Sequence, residues 1–304
     1  MHSFILIFLA SLCGAFSNFF FRKNTCAQAS YSSPTGYLLS FYLFAFVASF
    51  FFYPELLDMN VNPLMLIVGC SVGFLSSFLM FLTSRALISG PSGLTFAFQN
   101  ASAVFPGAIL FMLLGPDFGF SFSFMQLIGI LLVIFGIFLG AVKVSSTPSN
   151  TSSKWIYYAG ACFLVQSLAL TLMQGRCVLF DCAKLDNSFA SLMPTEAQDI
   201  WFMPGQFGAA LLVQIALFFS EKRIIKKSEI VLGSLGGFAN FGATCCLMLA
   251  TKWALPAEKG LLFPFFAVGT LALCNIWANQ LYKEELNLKA NAVCIIGIVL
   301  GVAS

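Results

Sequence analysis

Long apolar runs constrain this chain more than any other feature of its sequence. Ten segments of roughly 20 residues are almost free of charge, and a run of that length spans the hydrocarbon core of a bilayer as a helix. Backbone polar groups find no water inside hydrocarbon, so these runs must satisfy their own hydrogen bonds by forming helices. The predicted helices are Ser3–Phe21, Gly36–Tyr53, Leu64–Leu87, Pro91–Leu114, Phe124–Val142, Trp155–Gln174, Ile200–Ser220, Ile230–Ala254, Gly260–Tyr282 and Leu288–Ala303.

Composition places the whole chain in the same class. Hydrophobic residues make up 59% of its 304 residues and charged residues only 9%, whereas about a quarter of the residues of a soluble domain are charged. We therefore predict an all-α, multi-pass integral membrane protein of the cell (inner) membrane, whose partners are the lipid bilayer and a small-molecule solute. The net charge of +3 gives no reason to expect a nucleic-acid partner, and both a monomer and a homodimer are left open.

The sequence contains an internal repeat. Residues 82–100 align with residues 249–267 at an offset of 167 positions, which places Arg85 on Lys252. Self-similarity at a fixed offset is typical of duplicated architectures. The two halves are predicted to be residues 1–143 and 154–304, joined by a polar linker at 144–153. Five helices per half is an odd number, so the second half enters the membrane from the opposite side, which predicts ten helices in two inverted repeats.

The last helix of each half carries a paired glycine. Gly136–Gly140 reads GIFLG and Gly297–Gly301 reads GIVLG, now at an offset of 161 positions. The six-residue difference from the first offset is absorbed in the turn that precedes this helix in the first half. Spacing of the form GxxxG lets helix backbones approach closely in lipid, so we expect both helices to pack through these glycines.

The closing segment of the chain resembles a known family. Asn275–Gly301, with the sequence NIWANQLYKEELNLKANAVCIIGIVLG, joins an aromatic-rich helix, an acidic turn and a glycine-paired last helix. Together with the two five-helix halves, it is similar to the drug/metabolite transporter superfamily, in particular to its ten-helix EamA-like members. The resemblance covers nearly the whole chain and implies a secondary transporter that works by alternating access. It says almost nothing about the substrate.

Acidic residues are not expected at membrane depth. All 12 aspartates and glutamates fall in predicted turns or at helix ends, whereas proton-driven carriers place a titratable group inside the membrane. The small multidrug members of the superfamily carry a glutamate in the first helix, where this chain has Ser11, Cys13 and Ser17. We therefore expect a facilitator or exchanger, and not a proton-coupled exporter of cationic drugs.

Neutral polar side chains occupy the middle of several predicted helices. Amide groups both donate and accept hydrogen bonds, which suits a solute with amide, hydroxyl or heterocyclic groups. The alternative is hydrogen bonding between helices, worth about 0.6 kcal/mol per contact. The pocket is favoured for Gln99 and Asn100, because the resemblance places the fourth and ninth helices beside the central cavity. The predicted substrate-binding residues are Gln99, Asn100, Ser76, Ser77, Gln166, Asn240 and Asn275.

Two cations occupy equivalent places in the halves. Arg85 and Lys252 lie at the ends of the third and eighth predicted helices. In an inverted repeat they are near opposite membrane faces, where long cationic side chains reach the lipid headgroups. The alternative role is a pair of gate charges that attract an anionic group at each mouth. Trp277, on the ninth helix, is predicted to anchor at the membrane interface.

The expected cargo is a small polar organic metabolite, such as an amino acid, a nucleotide derivative or an S-adenosylmethionine-like solute. A nucleotide-sugar or phosphorylated-metabolite antiporter is the alternative, and it needs cations at depth, for which Arg85 and Lys252 are the candidates. A non-transporting receptor or scaffold is the rival from another class. An enzyme is not expected, because no paired carboxylates or nucleophile–base set lie at depth. His2 is the only histidine, so neither a metal nor a cofactor is expected.

Loop charge and one long loop bear on orientation. Of the 15 lysines and arginines, eleven follow odd-numbered helices, so the positive-inside rule predicts both termini outside the cytoplasm. The resemblance implies the opposite orientation. The longest predicted loop is Arg176–Asp199, in which Thr195 and Gln198 form a capping-box pattern before the seventh helix. Cys177 and Cys182 in this loop either form a disulfide, which an oxidising exterior permits, or remain free thiols.

Overall fold

The described chain is helical and built for a bilayer. The structure is a computed structural model, and it describes residues 2–27, 33–58, 60–115, 123–146, 154–182, 193–253, 262–283 and 288–300. These residues contain helices and no strand. Eight of the helical segments are long and apolar enough to cross a membrane. The protein is therefore an all-α, multi-pass integral membrane protein.

The helices follow the predicted apolar runs, with shifted ends. Short 3₁₀ turns lie at Pro54–Asp58, Ser102–Val104 and Glu196–Trp201. The α-helices are α1 His2–Ala27, α2 Thr35–Phe52, α3 Pro63–Ser89, α4 Ser92–Ala101, α5 Phe105–Leu114, α6 Phe124–Ser146, α7 Lys154–Cys182, α8 Phe202–Ser220, α9 Lys227–Trp253, α10 Leu262–Tyr282 and α11 Leu288–Leu300.

The fourth predicted helix is broken in its middle. The sequence predicts one run over Pro91–Leu114, whereas the structure divides it into α4, a 3₁₀ turn at Ser102–Val104, and α5. Pro106 explains the break, because proline has no N–H to donate to the carbonyl four residues earlier and its ring clashes with that carbonyl. The Ser102 hydroxyl donates to the carbonyl of Gln99 at 2.6 Å, which stabilises the tight turn.

The predicted loop at Arg176 begins later than expected. α7 continues to Cys182, so Arg176 and Cys177 are helical and the prediction of a loop there is wrong. The Arg176 side chain is buried against neighbouring helices, which favours continued helix over an exposed loop. The far end of the loop agrees with the sequence, since the Thr195 N–H donates to Gln198 Oε1 at 3.0 Å and the pair caps the turn before α8.

The helical course of α7 disfavours the Cys177–Cys182 bridge. Cys177 lies within α7, and Cys182 is the last helical residue, whose side chain lies outside what the structure describes. Five positions along a helix separate two residues by about 7.5 Å along its axis. Cysteines whose Cα atoms are more than about 7 Å apart cannot be bridged without backbone movement.

The predicted linker at 144–153 is only partly described. α6 extends to Ser146, so the first three linker positions are helical. Residues 147–153 lie outside the described residues.

Helix packing follows a regular set of pairs. α1 packs on α9 and α7 packs on α3, while α3 also packs on α8 and α2 on α9. α2 contacts α8, α6 contacts α11, and α4 contacts α10. Large apolar side chains such as Phe51, Leu113 and Phe219 point outward and are strongly exposed, as expected for a surface that faces lipid.

Glycines allow the closest of these approaches. Gly69 and Gly73 on α3 lie against backbone carbonyls of α8, and Gly233 and Gly237 on α9 lie against those of α2. An added Cβ at any of them would collide with main-chain oxygen, so these pairs require glycine. In both interfaces the glycines are four residues apart, the small-residue spacing that holds helices together where hydrophobic exclusion provides no driving force.

α6 and α11 pack through the glycines singled out from the sequence. A Cβ at Gly297 would lie 2.8 Å from both Gly129 O and Val133 N, and a Cβ at Gly136 would lie 2.6 Å from Cys294 Sγ. The Gly301 end of the predicted motif lies outside the described residues.

A buried ion pair closes one end of α8. Arg176 Nε donates to Asp199 Oδ1 at 2.9 Å, and the Arg176 side chain is only 1% exposed. Its remaining donors reach Met173 O and Thr251 Oγ1, and its guanidinium lies over the ring of Phe202. We call this part of the molecule the Arg176 end. It ties α7 and α9 to the start of α8.

A second ionic network closes the opposite end of α8. Arg223 donates to Glu229 Oε2 at 2.9 Å and to Glu221 Oε2 at 2.9 Å, and Glu229 is fully buried. Thr35, the first residue of α2, donates to Glu221 at 2.6 Å. Burial raises the pKa of Glu221, but hydrogen bonds from Ser33, Thr35 and Arg223 outweigh it and lower that pKa overall. We call this part the Arg223 end.

Gly297→Ala tests the α6–α11 contact. The new methyl group must push the two backbones apart, so we expect a loss of about 1–3 kcal/mol of stability, the usual cost of overpacking. Gly160→Ala in α7 is the matched control, because a Cβ there meets no atom within 4 Å. The control should be neutral or stabilising by about 0.5–1 kcal/mol. Unfolding of the purified proteins measures both changes, and equal behaviour of the two variants would contradict the close approach.

Asp199→Asn tests the Arg176 end. The substitution leaves a buried guanidinium without its counter-charge, and breaking a buried pair costs about 3–5 kcal/mol. Glu55→Gln is the control, since Glu55 is exposed in the turn after α2 and surface changes remain within about 0.5 kcal/mol. Thermal unfolding in the same detergent compares the two. If both variants unfold like the unsubstituted protein, the ion pair does not stabilise this end.

Candidate functional site

A central cavity lies within the bundle. Its volume is about 140 Å³, roughly ten times the 10–15 Å³ that a single water needs on the same kind of measure. It therefore accommodates a small organic molecule. The described lining comes from eight helices, α1 to α4 and α7 to α10, and from none of α5, α6 and α11.

The polar part of the wall is uncharged. No aspartate, glutamate, lysine, arginine or histidine is among the described residues that line the cavity. The six amides are Asn18, Gln99, Asn100, Gln166, Gln206 and Asn240. The hydroxyl groups belong to Ser17, Tyr42, Ser76, Thr244 and Thr270. Amides and hydroxyls supply donors and acceptors together, so the wall suits a solute that both gives and receives hydrogen bonds.

Most of the residues singled out from the sequence meet at this cavity. Gln99, Asn100, Ser76, Gln166 and Asn240 all line it. They come from four different helices, so only the tertiary structure brings them together.

The break in the fourth helix positions Gln99 and Asn100. Both lie in the last turn of α4, immediately before the 3₁₀ turn. Asn100 Nδ2 donates to the Phe96 carbonyl at 2.8 Å, which orients the amide. Gln99 Oε1 is 3.5 Å from the Thr83 hydroxyl of α3, a long contact that leaves most of the Gln99 amide available.

Two of the predicted residues do not line the cavity. The hydroxyl of Ser77 accepts a hydrogen bond from Gln214 Nε2 at 2.6 Å, which joins α3 to α8. Asn275 is buried in α10. The Ser77 contact is of the helix-joining kind that the sequence left open as the alternative.

The two candidate gate cations lie on the outside of the bundle. Arg85 and Lys252 are both exposed, and neither lines the cavity. The Arg85 guanidinium lies over the ring of Phe81, 5.2 Å from its centre. Their exposure fits cations that reach toward headgroups.

Trp277 is half-buried among aromatic side chains near the end of α10, and its role as an interfacial anchor stays a prediction. Its ring contacts those of Phe19, Phe96 and Tyr282, with centroids 5.7–6.0 Å apart. The Arg22 guanidinium covers Tyr282 and donates to the carbonyl of Leu87. This aromatic group joins α1, α4 and α10.

Sequence reasoning did not select several lining residues. Asn18, Tyr42, Gln206, Thr244 and Thr270 line the cavity without having been predicted to bind a solute. An amide side chain within an apolar run is a usable sequence signal for Asn18 and Gln206. Tyr42 and Thr270 carry no such signal, because tyrosine and threonine are common in helices for packing alone.

Aromatic and sulfur-containing side chains complete the wall. Phe41 and Phe266 line the cavity beside Met80 and Met173. Flat apolar surface next to hydrogen-bonding groups is the usual composition of a small-molecule site. Within the part of the chain that the structure describes, no group of three metal-ligating side chains exists.

Comparisons with known protein families and with curated proteins found no match for this chain.

Gln99→Ala and Asn100→Ala test the site. Each change removes hydrogen-bonding groups from the wall, and one hydrogen bond is worth about 0.5–1.5 kcal/mol, so solute affinity should fall about 2- to 13-fold. Gln280→Ala is the matched control, since Gln280 is exposed on α10. Uptake at several solute concentrations measures the change, and size-exclusion chromatography verifies folding. If the two α4 variants and the control transport alike, this turn of α4 does not contact the solute.

Proposed function

We propose that this protein is a secondary transporter of the drug/metabolite transporter superfamily, similar to the ten-helix EamA-like members. It moves a small polar organic metabolite across the cell (inner) membrane by alternating access, as a facilitator or exchanger. Amino acids, nucleotide derivatives and S-adenosylmethionine-like compounds are the candidate classes of cargo. The protein is not an enzyme in this proposal.

The observation that carries the proposal is the central cavity. A multi-pass bundle has no structural need for six uncharged amides around one internal space, because buried amides lower stability unless they find partners. A solute-binding role explains their presence. The cavity lies in the middle of the bundle, and secondary transporters bind their cargo at such a position.

Helix pairing supports an inverted repeat. Exchanging the halves matches α1 with α7, α2 with α8, α3 with α9, α4 with α10 and α6 with α11. Under this exchange the α1–α9 contact becomes the α7–α3 contact, and α3–α8 becomes α9–α2. The α2–α8, α4–α10 and α6–α11 contacts map onto themselves. A pseudo-two-fold relation between the halves produces this pattern, and five crossings per half require its axis to lie in the membrane plane.

The α6–α11 contact supports the same symmetry at the level of residues. Gly136 faces Cys294 and Gly297 faces Val133. The offset of 161 positions found in the sequence converts one contact into the other. Eight candidate spans and the two shorter apolar helices in α6 and α11 together make the ten crossings that we propose.

The distribution of lysines and arginines between the two ends of the bundle supports one orientation in the membrane. With ten crossings, the Arg223 end carries Arg22, Lys23 and the exposed lysines of the α8–α9 turn, whereas the Arg176 end carries few cations. The positive-inside rule then places the Arg223 end in the cytoplasm and both termini outside it.

The rival functions are less well supported. A nucleotide-sugar or phosphorylated-metabolite antiporter needs cations near the solute, and the candidates Arg85 and Lys252 are exposed on the outer surface. A scaffold has no need for a polar internal cavity, and a receptor has no evident need for two inverted halves around it.

Transport by the full chain in liposomes tests the proposal. A panel of labelled amino acids, nucleosides, nucleotides and S-adenosylmethionine is offered to vesicles preloaded with the unlabelled compound. We expect counterflow of at least one member, and we expect it to persist with a protonophore, because no described residue of the cavity wall is a carboxylate or histidine. Protein-free vesicles are the control. Absence of counterflow for every class, or strict dependence on the proton gradient, would contradict the proposal.

A further inference from the structure

We propose that the solute is uncharged and hydroxylated, and that Tyr42, Gln206 and Thr270 form the subsite that binds its hydrogen-bonding groups. This inference rests on the proposed transport function and narrows its cargo, from classes that include charged amino acids, nucleotides and S-adenosylmethionine-like compounds, to uncharged solutes. Its binding step is tested separately. The three residues come from α2, α8 and α10 and line the same cavity.

Each of the three carries a buried polar atom without a partner. Tyr42 is 2% exposed, Gln206 is 8% exposed and Thr270 is 1% exposed. The hydroxyl of Tyr42, Oε1 of Gln206 and Oγ1 of Thr270 have no hydrogen-bond partner within the described chain. The great majority of buried side-chain polar atoms in proteins are hydrogen-bonded, so three orphaned atoms around one cavity require an explanation.

Threonine shows the contrast most clearly. Thr83, Thr171 and Thr244 donate their hydroxyls to the carbonyl four residues earlier in the same helix, at 2.7–3.0 Å. This internal bond is the ordinary solution for a hydroxyl in an apolar helix. Thr270 does not use it. Its hydroxyl is therefore kept for a partner that enters the cavity.

The wall also determines the charge of that partner. Burying an ion without a counter-charge is strongly unfavourable, and the described lining contains no charged side chain. The arginines at the two ends are already engaged, because Arg176 pairs with Asp199 and Arg223 pairs with Glu221 and Glu229. A phosphorylated or cationic solute would lose its hydration and gain no counter-charge from the described wall. A neutral solute loses only its hydrogen bonds to water, and the wall can replace these.

The chemistry of the orphaned atoms fits a hydroxylated solute. Tyrosine and threonine hydroxyls both donate and accept, and the glutamine oxygen accepts. Hydroxyl groups on the solute complement all three. Phe41 and Phe266 supply flat apolar wall beside them. We therefore choose uridine, adenosine, glucose and inositol as probes, each against its monophosphate.

Binding to the purified full chain in lipid nanodiscs tests the charge. We expect at least one neutral probe to bind, and its monophosphate to bind at least tenfold more weakly or not at all. Tighter binding of any monophosphate than of its parent overturns the inference. So does failure of every neutral probe to bind.

Three near-isosteric variants test the subsite. Tyr42→Phe, Gln206→Met and Thr270→Val each remove an orphaned polar atom while keeping the volume similar. We expect each to weaken binding of the neutral probe about 2- to 13-fold, the range set by the loss of one hydrogen bond. We also expect each to raise the unfolding temperature of the ligand-free protein, because an unsatisfied buried polar group has been removed.

Tyr37→Phe is the matched control. The Tyr37 hydroxyl is also buried without a partner, but Tyr37 does not line the cavity. It should stabilise the protein in the same way and leave probe affinity unchanged. If the cavity variants bind like this control, the orphaned atoms do not contact the solute and the subsite is refuted.

The two proposals fail in different ways. Binding of a neutral probe without counterflow in liposomes would remove the transport function and support the subsite. Counterflow of a charged solute in preference to its neutral parent would support transport and overturn the subsite.

Discussion

Absence of water from the hydrocarbon core is the constraint on which this structure depends. Every backbone donor and acceptor must find a partner inside the protein, and an unpartnered side-chain group is costly. Backbone groups do so within helices, and serine and threonine hydroxyls do so by bonding to the preceding turn, as Ser11, Ser49 and Thr83 illustrate. The long side chains of Arg176 and Arg223 satisfy themselves in ionic networks at opposite ends of α8. These charges lie at the ends, and none of the described residues that line the cavity is charged.

Helix association in this setting depends on close packing, because lipid is as apolar as the side chains that face it. Glycines at Gly69, Gly73, Gly233 and Gly237 bring α3 onto α8 and α9 onto α2 through direct backbone contact. Large outward-facing residues contribute little to these interfaces. The same four helices also line the cavity, through residues such as Tyr42, Ser76, Gln206 and Asn240.

The break in the fourth helix links folding to the cavity. Pro106 removes one backbone donor, and the resulting 3₁₀ turn ends α4 just after Gln99 and Asn100. Discontinuous backbone is tolerated at membrane depth only where it is buried in protein or lines a cavity. The turn therefore places two amides at the wall and satisfies its own groups through Ser102. Its counterpart α10 is continuous, although Pro264 lies in its first turn, where proline does not interrupt a helix.

The sequence alone determined the all-α membrane class and the course of most helices, because the length of an apolar run is a local property of the sequence. It also predicted the close contact at Gly136 and Gly297, which the structure confirms. It did not determine where α7 ends, since burial of Arg176 against Asp199 depends on a residue 23 positions away. It selected Gln99, Asn100, Ser76, Gln166 and Asn240 for the site but could not separate them from Ser77, whose amide partner Gln214 belongs to a distant helix. Only the tertiary structure made Tyr42, Gln206 and Thr270 candidates. Whether a polar atom lacks a hydrogen-bond partner depends on all of its neighbours, and the packing of eight helices determines those neighbours.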